Sequence, residues 1–194
     1  MNLVRKAITL SNRILTPARA EHARRVAALL INPTHEELAA AYLHDVLEDT
    51  DYKEDRLREC FGRNVASWVF HLTNPEGMKL SGVRDFSHLK DACREVKRIK
   101  LADRIDNIKK RVYNEDNRFV YGYRDYVEET EKLLEIIGDG DAQLAALLRS
   151  LVEKLKEKCD RYEHGNILQV FRKSCSSEVE EIVGRSWSGD TDAD

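Results

Sequence analysis

Residues 44–49 read His-Asp-Val-Leu-Glu-Asp, and four of these six side chains can bind a metal ion or exchange a proton. On a helix, residues four apart share a face, so His44 is expected above Glu48 and Asp45 above Asp49. A charged, solvated face is the ordinary interpretation. The acids, however, stand at the end of the expected helix, where its dipole disfavours them by roughly 0.3–1 kcal/mol each. A bound cation would remove that penalty.

The element that carries this segment is expected to be one helix from about Thr34 to about Asp49. Thr34 and Glu37 have the spacing of a capping box, in which each side chain bonds the backbone N–H of the other residue. An alanine-rich run from Leu38 to Ala41 follows, and such residues favour helix. The polar side chains would then project from the last turns of this helix.

Two further polar side chains interrupt apolar helical stripes elsewhere in the chain. His22 falls in a segment that begins with Thr16-Pro17, which is typical of an N-cap and a first-turn proline. Asp103 continues an apolar stripe, and a buried carboxylate without a partner costs several kcal/mol in effective terms, as an order of magnitude. Taken alone, His22 is more often a satisfied core histidine than a ligand. Asp103 alone could equally pair with Lys100 or Arg104.

Together, these positions offer two imidazoles and two carboxylates: His22, His44, Asp45 and Asp103. Nitrogen and oxygen ligands in an open site suit Mn²⁺, Fe²⁺ or a similar divalent ion. The lack of cysteine ligands argues against a closed structural zinc site. The pattern therefore favours a catalytic metal site.

The order of these residues resembles that of the HD-domain metal-dependent phosphohydrolases, and Glu48-Asp49 completes a string similar to the HDxxED signature of Rel/Spo alarmone hydrolase domains. Three further segments resemble motifs of this family: a first-histidine helix at residues 22–30, an FGxxVA turn at 61–66 and a KLADRxxN segment at 100–107. The resemblance extends from about Arg13 to about Glu157. The chain is thus similar to the single-domain small alarmone hydrolases, among them the metazoan SpoT homolog.

The resemblance implies an all-α fold, with a compact HD-domain helical bundle over residues 1–165. A C-terminal extension over 166–194 would be helical first and then a flexible acidic tail. The implied roles are Mn²⁺ ligands at His22, His44, Asp45 and Asp103, a catalytic acidic pair at Glu48 and Asp49, a base contact at Arg13, and a nucleotide or water contact at Asn107.

The implied activity is Mn²⁺-dependent removal of the 3′-diphosphate of ppGpp or pppGpp as pyrophosphate, which leaves GDP or GTP. A divalent ion makes water acidic enough to attack phosphorus near neutral pH, and Glu48 and Asp49 would orient that water or exchange its proton. The chain departs from the family pattern toward the nucleotide, with a short first helix, Ile14 in place of a cation and Lys110 in place of a hydroxyl residue. Adenine alarmones therefore remain open as substrates.

The leaving group is strongly anionic, so cations should line its side of the pocket. The candidates on the long helix are Lys97, Arg98, Lys100, Arg104, Lys109, Lys110 and Arg111. About five of these seven are expected to form an ordinary solvated face. Arg104, beside Asp103, is predicted to make a structural or a phosphate contact to the substrate.

Two alternatives stay open. The first keeps the metal but changes the substrate, as in an NADPH 2′-phosphatase or another nucleotide phosphohydrolase such as a deoxynucleotide 5′-phosphatase. The pair Glu48-Asp49 argues against the simple nucleotidase but not against NADPH. The second is a non-catalytic nucleotide-binding or antitoxin-like protein, which would not need the acidic pair.

Composition agrees with one compact helical domain, since 42% of the residues are hydrophobic and only three are proline. A net charge of −3 argues against a nucleic acid as the main partner. The resemblance implies a small-molecule nucleotide as the ligand. The chain shows no signal peptide and no apolar run that could cross a membrane, which favours the cytoplasm. The four cysteines lack CxxC spacing and are expected to be free thiols, and oligomeric state is left open.

The C-terminal part is expected to contain an antiparallel pair of amphipathic helices at Tyr126–Ile137 and Ala142–Cys159, joined by Gly-Asp-Gly-Asp. Apolar residues beyond 165 could dock one more helix before the tail at 184–194. The segment Asn74–Gly82, which is rich in turn residues, predicts a loop that borders the pocket.

Overall fold

The computed structural model describes residues 2–74, 85–115, 120 and 122–185, with side chains as far as residue 163. In these ranges all regular structure is helical, and the predicted all-α class is confirmed. The helices are α1 (Leu3–Ile14), α2 (Pro17–Leu29), α3 (His35–Leu43), α4 (Val46–Asp49), α5 (Glu54–Phe61), α6 (Arg63–Leu72), α7 (Arg94–Val112), α8 (Tyr123–Ile137) and α9 (Ala142–Arg185), with a short 3₁₀ turn at Ser87–Leu89.

Short-range sequence signals determine where the first three helices begin. The side chains of Asn2 and Thr16 cap α1 and α2, and Pro17 occupies the first turn of α2. The capping box predicted at α3 is present, since the Thr34 hydroxyl accepts from the Glu37 N–H at 3.0 Å and Glu37 Oε2 accepts from the Thr34 N–H at 2.9 Å. These bonds satisfy N–H groups that have no partner inside the helix.

The single helix expected from Thr34 to Asp49 is divided in two, so that expectation was wrong. His44 and Asp45 form a turn between α3 and α4, with Asp45 at φ −95° and ψ −2°. The His44 ring donates its Nδ1–H to the Ala41 carbonyl at 2.8 Å. That carbonyl belongs to the last turn of α3, where a carbonyl has no intrahelical partner unless the helix continues. Both side chains are therefore displayed from a turn.

Helix α7 lies at the centre of the bundle and packs against α2, α3, α6, α8 and α9. Every residue from Val96 to Asp106 is buried, including the side chains of four cations: Lys97, Arg98, Lys100 and Arg104. The expectation that about five of the seven cations form a solvated face was wrong, because of the seven only Lys109, Lys110 and Arg111 are not buried. A charged helix can occupy the centre because acids on neighbouring elements, and Asp103 on α7 itself, pair with these cations.

Helices α8 and α9 pack antiparallel, as predicted. Arg124 near the start of α8 pairs with Glu163 of α9, and Glu131, further along α8, pairs with the earlier Lys156. The turn between them, Gly138 to Asp141, lies against α7, where a Cβ on Gly140 would collide with Lys97. Helix α9 continues to Arg185 instead of ending near Cys159, so its extension replaces the additional docked helix that was expected. Residues 186–194, where the tail is predicted, lie outside the described residues, and the domain division at 165 stays a prediction.

Gly62 joins α5 to α6 at φ +88°, a conformation that side chains with a Cβ rarely adopt. This glycine is the second residue of the segment that resembles the FGxxVA turn. Across the part of the chain that the structure describes, no helix combines the length and the apolar character needed to span a membrane. Cys60, Cys93 and Cys159 are free thiols, as expected, and the side chain of Cys175 lies outside the described residues.

Candidate metal and active site

Three elements bring the four predicted ligands to one place: α2, the turn between α3 and α4, and α7. Ligand atoms of His22, His44 and Asp45 all lie within 4.8 Å of one another. Asp103 Oδ1 is 3.1 Å from His22 Nε2 and 3.9 Å from His44 Nε2. Atoms that share one ion at roughly 2.1 Å are themselves roughly 3 Å or more apart, so the cluster can hold a divalent metal ion.

His44 is prepared to act as a ligand. Its Nδ1–H is used by the Ala41 carbonyl, which leaves Nε2 as the free ring nitrogen. Nε2 is buried and finds no hydrogen-bond partner among the described residues, although it lies 3.1 Å from Asp45 Oδ1. A buried polar atom without a partner is costly, so this nitrogen is suited to a cation.

The electrostatics of the cluster also favour positive charge. Burial lowers the pKa of His44, but the charges of Asp45 and Asp103 and the Ala41 carbonyl outweigh it and raise this pKa to about 9. Burial raises the pKa of Asp103, but Lys100 and the two histidines hold it well below its ordinary value. The carboxylates therefore stay ionised, and a proton on His44 neutralises part of their charge. A divalent ion can take the place of that proton.

His22 has a second carboxylate partner, Asp106, to which the sequence analysis assigned no role. His22 Nδ1 lies 2.7 Å from Asp106 Oδ2, while Nε2 faces Asp103. Arg25 donates to both oxygens of Asp106, at 2.6 and 3.1 Å, and Lys110 Nζ lies 2.9 Å from Oδ2. Asp106 stands three residues after Asp103, a spacing that places both carboxylates on one helix face and could have indicated it.

Three of the four clustered side chains, His22, Asp45 and Asp103, line an open cleft of about 330 Å³, and His44 is buried behind them. Both signs of charge line the walls: Glu48 and Asp49 on α4, Arg19 on α2, and Lys100 and Lys110 on α7. Three candidate metal ligands, the acidic pair and three cationic side chains therefore line one cleft.

Both members of the predicted acidic pair are held by neighbours. Glu48 Oε2 accepts a hydrogen bond from Asn74 Nδ2 at 3.0 Å, and Asp49 forms an ion pair with Arg19. Asn107 Nδ2 donates to Asp103 Oδ1 at 2.7 Å, so it orients a candidate ligand and also lines the cleft. Asn74 begins the segment predicted to be a loop beside the pocket, and residues 75–84 of that segment lie outside the described part of the chain.

The comparisons with known proteins agree with this geometry. No protein-family model matches the chain. The guanosine-3′,5′-bis(diphosphate) 3′-pyrophosphohydrolase of Aquifex aeolicus is 38% identical over 90 residues, which cover 43% of this chain and 13% of that protein. Its Haemophilus influenzae namesake is 39% identical over 83 residues, 39% of this chain and 12% of that protein. The Drosophila melanogaster pyrophosphohydrolase MESH1 is 31% identical over 111 residues, 55% of this chain and 62% of that protein.

The chain thus spans less than two thirds of the length of each of these relatives. The solved structure of a metazoan ortholog of SpoT, described as hydrolysing ppGpp and playing a role in starvation responses, superposes with a TM-score of 0.67 at 22% identity. The superposition covers 79% of this chain and 96% of that one. The chain has the HD-domain fold. Its predicted resemblance to the Rel/Spo hydrolases is confirmed by the three sequence similarities.

Within this HD-domain fold, two predicted substrate contacts do not line the cleft. Arg104 is buried against the rings of Tyr126 and Phe86, with its guanidinium carbon 3.6 and 5.8 Å from the ring centroids. Its Nε donates to Thr130 at 2.8 Å and its Nη2 to Glu129 at 3.1 Å. This arrangement favours the structural alternative for Arg104 over the phosphate contact.

Arg13 is exposed in the last turn of α1, and the described residues that line the cleft do not include it. Its contact with a nucleotide base therefore stays a prediction. The cleft contains Arg19 instead, one turn before His22, together with Lys100 and Lys110. Lys100 and Lys110 belong to the seven cations predicted as candidates on α7, whereas Arg19 was not predicted.

Proposed function

We propose that this HD-domain chain is a Mn²⁺-dependent hydrolase that removes the 3′-diphosphate of ppGpp and pppGpp as pyrophosphate, leaving GDP and GTP. The observation that carries the proposal is the convergence of His22, His44, Asp45 and Asp103 next to an open cleft that the acidic pair also lines. The names of the three sequence relatives point to the same reaction.

In this proposal the four clustered side chains hold the metal. Two imidazole nitrogens and carboxylate oxygens, without a thiolate, suit Mn²⁺ or a closely related ion. When bound, such an ion supplies Lewis acidity and makes water acidic enough to react near neutral pH. The ring of His44 is already oriented for this role by the Ala41 carbonyl.

Glu48 and Asp49 are the proposed acid-base groups. Each lies on α4 directly after the turn that carries His44 and Asp45, so the acids and the ligands are positioned by one short segment. Asn74 holds the Glu48 carboxylate at the cleft, where it can orient the attacking water or take its proton. Help of this kind typically contributes on the order of 10²–10⁴-fold in rate.

The cations of the cleft support an anionic substrate. Lys100 is buried beside Asp103, whereas the Lys110 side chain is 48% exposed and can move toward a ligand. Charge-assisted hydrogen bonds from lysine and arginine are the usual way in which proteins bind phosphate. We extend the proposed substrates to (p)ppApp, because the named residues would contact the phosphates and the metal and not the base. We also propose a cytoplasmic location, as predicted from the sequence.

A substrate panel tests the proposal. The Mn²⁺-loaded protein is incubated with ppGpp, pppGpp, ppApp, pppApp, NADPH and deoxynucleoside monophosphates, and the products are separated by chromatography. We expect pyrophosphate with GDP or GTP from the guanosine alarmones, and no turnover by Asp45→Ala. Phosphate release from NADPH alone would favour the 2′-phosphatase alternative. Binding of ppGpp without turnover would favour the non-catalytic alternative.

A further inference from the structure

Asp106 is buried on α7 next to the metal cluster, yet it faces away from the other carboxylates. Its side chain is 6% exposed, and its Oδ2 contacts the ring nitrogen of His22 that points away from Asp103. The imidazole of His22 therefore lies between two carboxylates, with Nδ1 at 2.7 Å from Asp106 and Nε2 at 3.1 Å from Asp103. This arrangement assigns different tasks to the two ring nitrogens.

We propose that Asp106 is a positioning residue for the metal site and acts through His22. A carboxylate at Nδ1 stabilises the tautomer in which Nδ1 carries the hydrogen, which leaves the Nε2 lone pair directed at Asp45, Asp103 and His44. Partners of this type orient the ring and increase its basicity as a ligand. The inference rests on the metal site of the proposed function and is independent of the substrate.

Arg25 and Lys110 hold the Asp106 carboxylate at His22 Nδ1, so that Asp106 orients a metal ligand without being a ligand itself. Arg25 donates to both carboxylate oxygens, in the bidentate geometry that fixes the plane of a carboxylate. Lys110 Nζ lies 2.9 Å from Oδ2, closer than its 3.4 Å from His22 Nδ1, so it pairs chiefly with the carboxylate. With its charge shared by these two cations, the carboxylate is held at Nδ1 and cannot swing to the other side of the ring.

Metal affinity measured by titration calorimetry tests the assignment. We expect Asp106→Asn and Asp106→Ala to bind Mn²⁺ about 10–100-fold more weakly than the unchanged protein. Asparagine has a single acceptor oxygen, for which His22, Arg25 and Lys110 would compete, and its NH₂ group cannot accept from Nδ1–H. Circular dichroism and thermal unfolding of each variant show that the binding measurement is made on folded protein.

Two control variants separate this role from helix packing. Asp139→Asn makes the same substitution at an exposed carboxylate that pairs with Lys97, which lies on α7 as Asp106 does. This variant should leave the Mn²⁺ affinity unchanged. Arg25→Met removes the bidentate support but retains the bond from His22 to Asp106, so its loss of affinity should be smaller than that of Asp106→Asn. An Arg25→Met effect as large as that of Asp106→Asn would overturn the role, because it would assign the loss to the contact between α2 and α7.

Nitrogen NMR of the imidazoles supplies a readout that a purely structural role would not change. In the metal-free protein, the neutral ring of His22 should carry its hydrogen on Nδ1, and Asp106→Ala should produce a mixture of tautomers. Wild-type Mn²⁺ affinity in both Asp106 variants, or an Nε2–H tautomer in the unchanged protein, would overturn the inference. Neither measurement uses a nucleotide. A failure to hydrolyse ppGpp would therefore refute the proposed function, while the Mn²⁺ affinity and the His22 tautomer would still test the role of Asp106.

Discussion

Helix α7 buries charges in two clusters that differ in one respect. In the first, which we call the Arg98 cluster, the guanidinium donates to Glu37 at 2.5 Å, to Asp141 at 3.0 Å and to the Ile31 carbonyl at 2.7 Å. In the second, the metal cluster, the nitrogens and carboxylates of His22, His44, Asp45 and Asp103 converge, and His44 Nε2 finds no hydrogen-bond partner among the described residues. The Arg98 cluster has its hydrogen bonds made, whereas the metal cluster keeps one buried ring nitrogen without such a bond.

Whether the buried polar atoms have all their hydrogen bonds distinguishes a structural cluster of charges from a functional one. A buried ion pair with all its hydrogen bonds made holds elements together, in this case α7, α3 and the turn before α9. A buried cluster of imidazoles and ionised carboxylates that leaves a ring nitrogen without a hydrogen bond can bind a cation there. Mutations should therefore affect folding in the Arg98 cluster and chemistry in the metal cluster.

The largest effect is expected from Asp45→Ala. Loss of a ligand carboxylate should lower Mn²⁺-dependent turnover of ppGpp by at least about 10³-fold, because the metal supplies several kcal/mol of charge stabilisation. Helicity should hardly change, since Asp45 lies in a turn with its side chain 24% exposed. Asp51→Ala, at an exposed acid outside the cleft, is the matched control. Turnover unaffected by Asp45→Ala would remove the metal cluster from the chemistry.

The Arg98→Met variant tests the other side of the comparison. Removal of the guanidinium leaves Glu37 and Asp141 without their partner, and breaking a buried pair in this way typically costs about 3–5 kcal/mol of unfolding free energy. Urea unfolding measures this loss, while turnover per folded molecule should stay at the wild-type level. Arg56→Met, which breaks an exposed pair with Glu59, should change stability by less than about 1 kcal/mol. A stable but inactive Arg98→Met variant would contradict the distinction.

Glu48→Gln, next to the metal cluster, should lower the rate of the reaction without lowering the Mn²⁺ affinity. The amide retains the size of the side chain but cannot accept a proton, so kcat should fall on the order of 10²-fold while the Mn²⁺ affinity is retained. Glu36→Gln, at a partly exposed acid on α3 outside the cleft, provides the control substitution. Full activity of Glu48→Gln would show that the acidic pair takes no part in proton transfer.

Lys110→Met should have a smaller effect, chiefly on substrate affinity. Asp106 retains Arg25 and His22 when Lys110 leaves it, so the ammonium group is free to contact an anionic substrate. At saturating Mn²⁺ we expect KM for ppGpp to rise about tenfold, the equivalent of about 1.4 kcal/mol, with kcat nearly unchanged. Lys109→Met removes the same charge one residue away, outside the cleft, and should leave KM within about twofold. Equal effects of the two variants would point to a general loss of charge.

The two clusters should also differ in pH dependence, which is the smallest effect. The pKa of His44 is raised from 6.5 to about 9 in the folded protein, so its contribution to stability is fully present below about pH 6.5 and is lost as pH rises through about 9. Burial raises the pKa of Asp141, but the Leu144 N–H and Arg98 outweigh it and lower this pKa. That contribution is present above about pH 3.8 and is lost on acidification.

Thermal unfolding of the metal-free protein across this range measures both contributions. The decrease in Tm between about pH 6.5 and 9 should disappear in His44→Gln, whereas the loss of stability in acid should remain. An alkaline decrease that persists unchanged in His44→Gln would assign it to another group.

Local signals made much of the fold and the identity of the metal-site residues predictable. The capping residues Asn2, Thr16 and Thr34 act within one helical turn, so adjacent letters suffice to locate the starts of helices. The metal-site residues were found because residue type limits which side chains can bind a cation, and because their order resembles a known family. Such information is contained in short stretches of sequence.

The remaining features of the site depend on contacts between residues that are far apart along the chain. The contact of His22 with Asp106 joins residues 84 positions apart, and the Arg98 pair with Glu37 joins residues 61 apart. The burial of the α7 cations, the placement of Arg104 against Tyr126 and the support of His22 by Asp106 all required the packed bundle. The sequence by itself determined which side chains could bind a metal or a proton, because that follows from their chemistry. The packed structure determined which buried charges are neutralised and which remain available for a ligand, because that depends on the distances between helices.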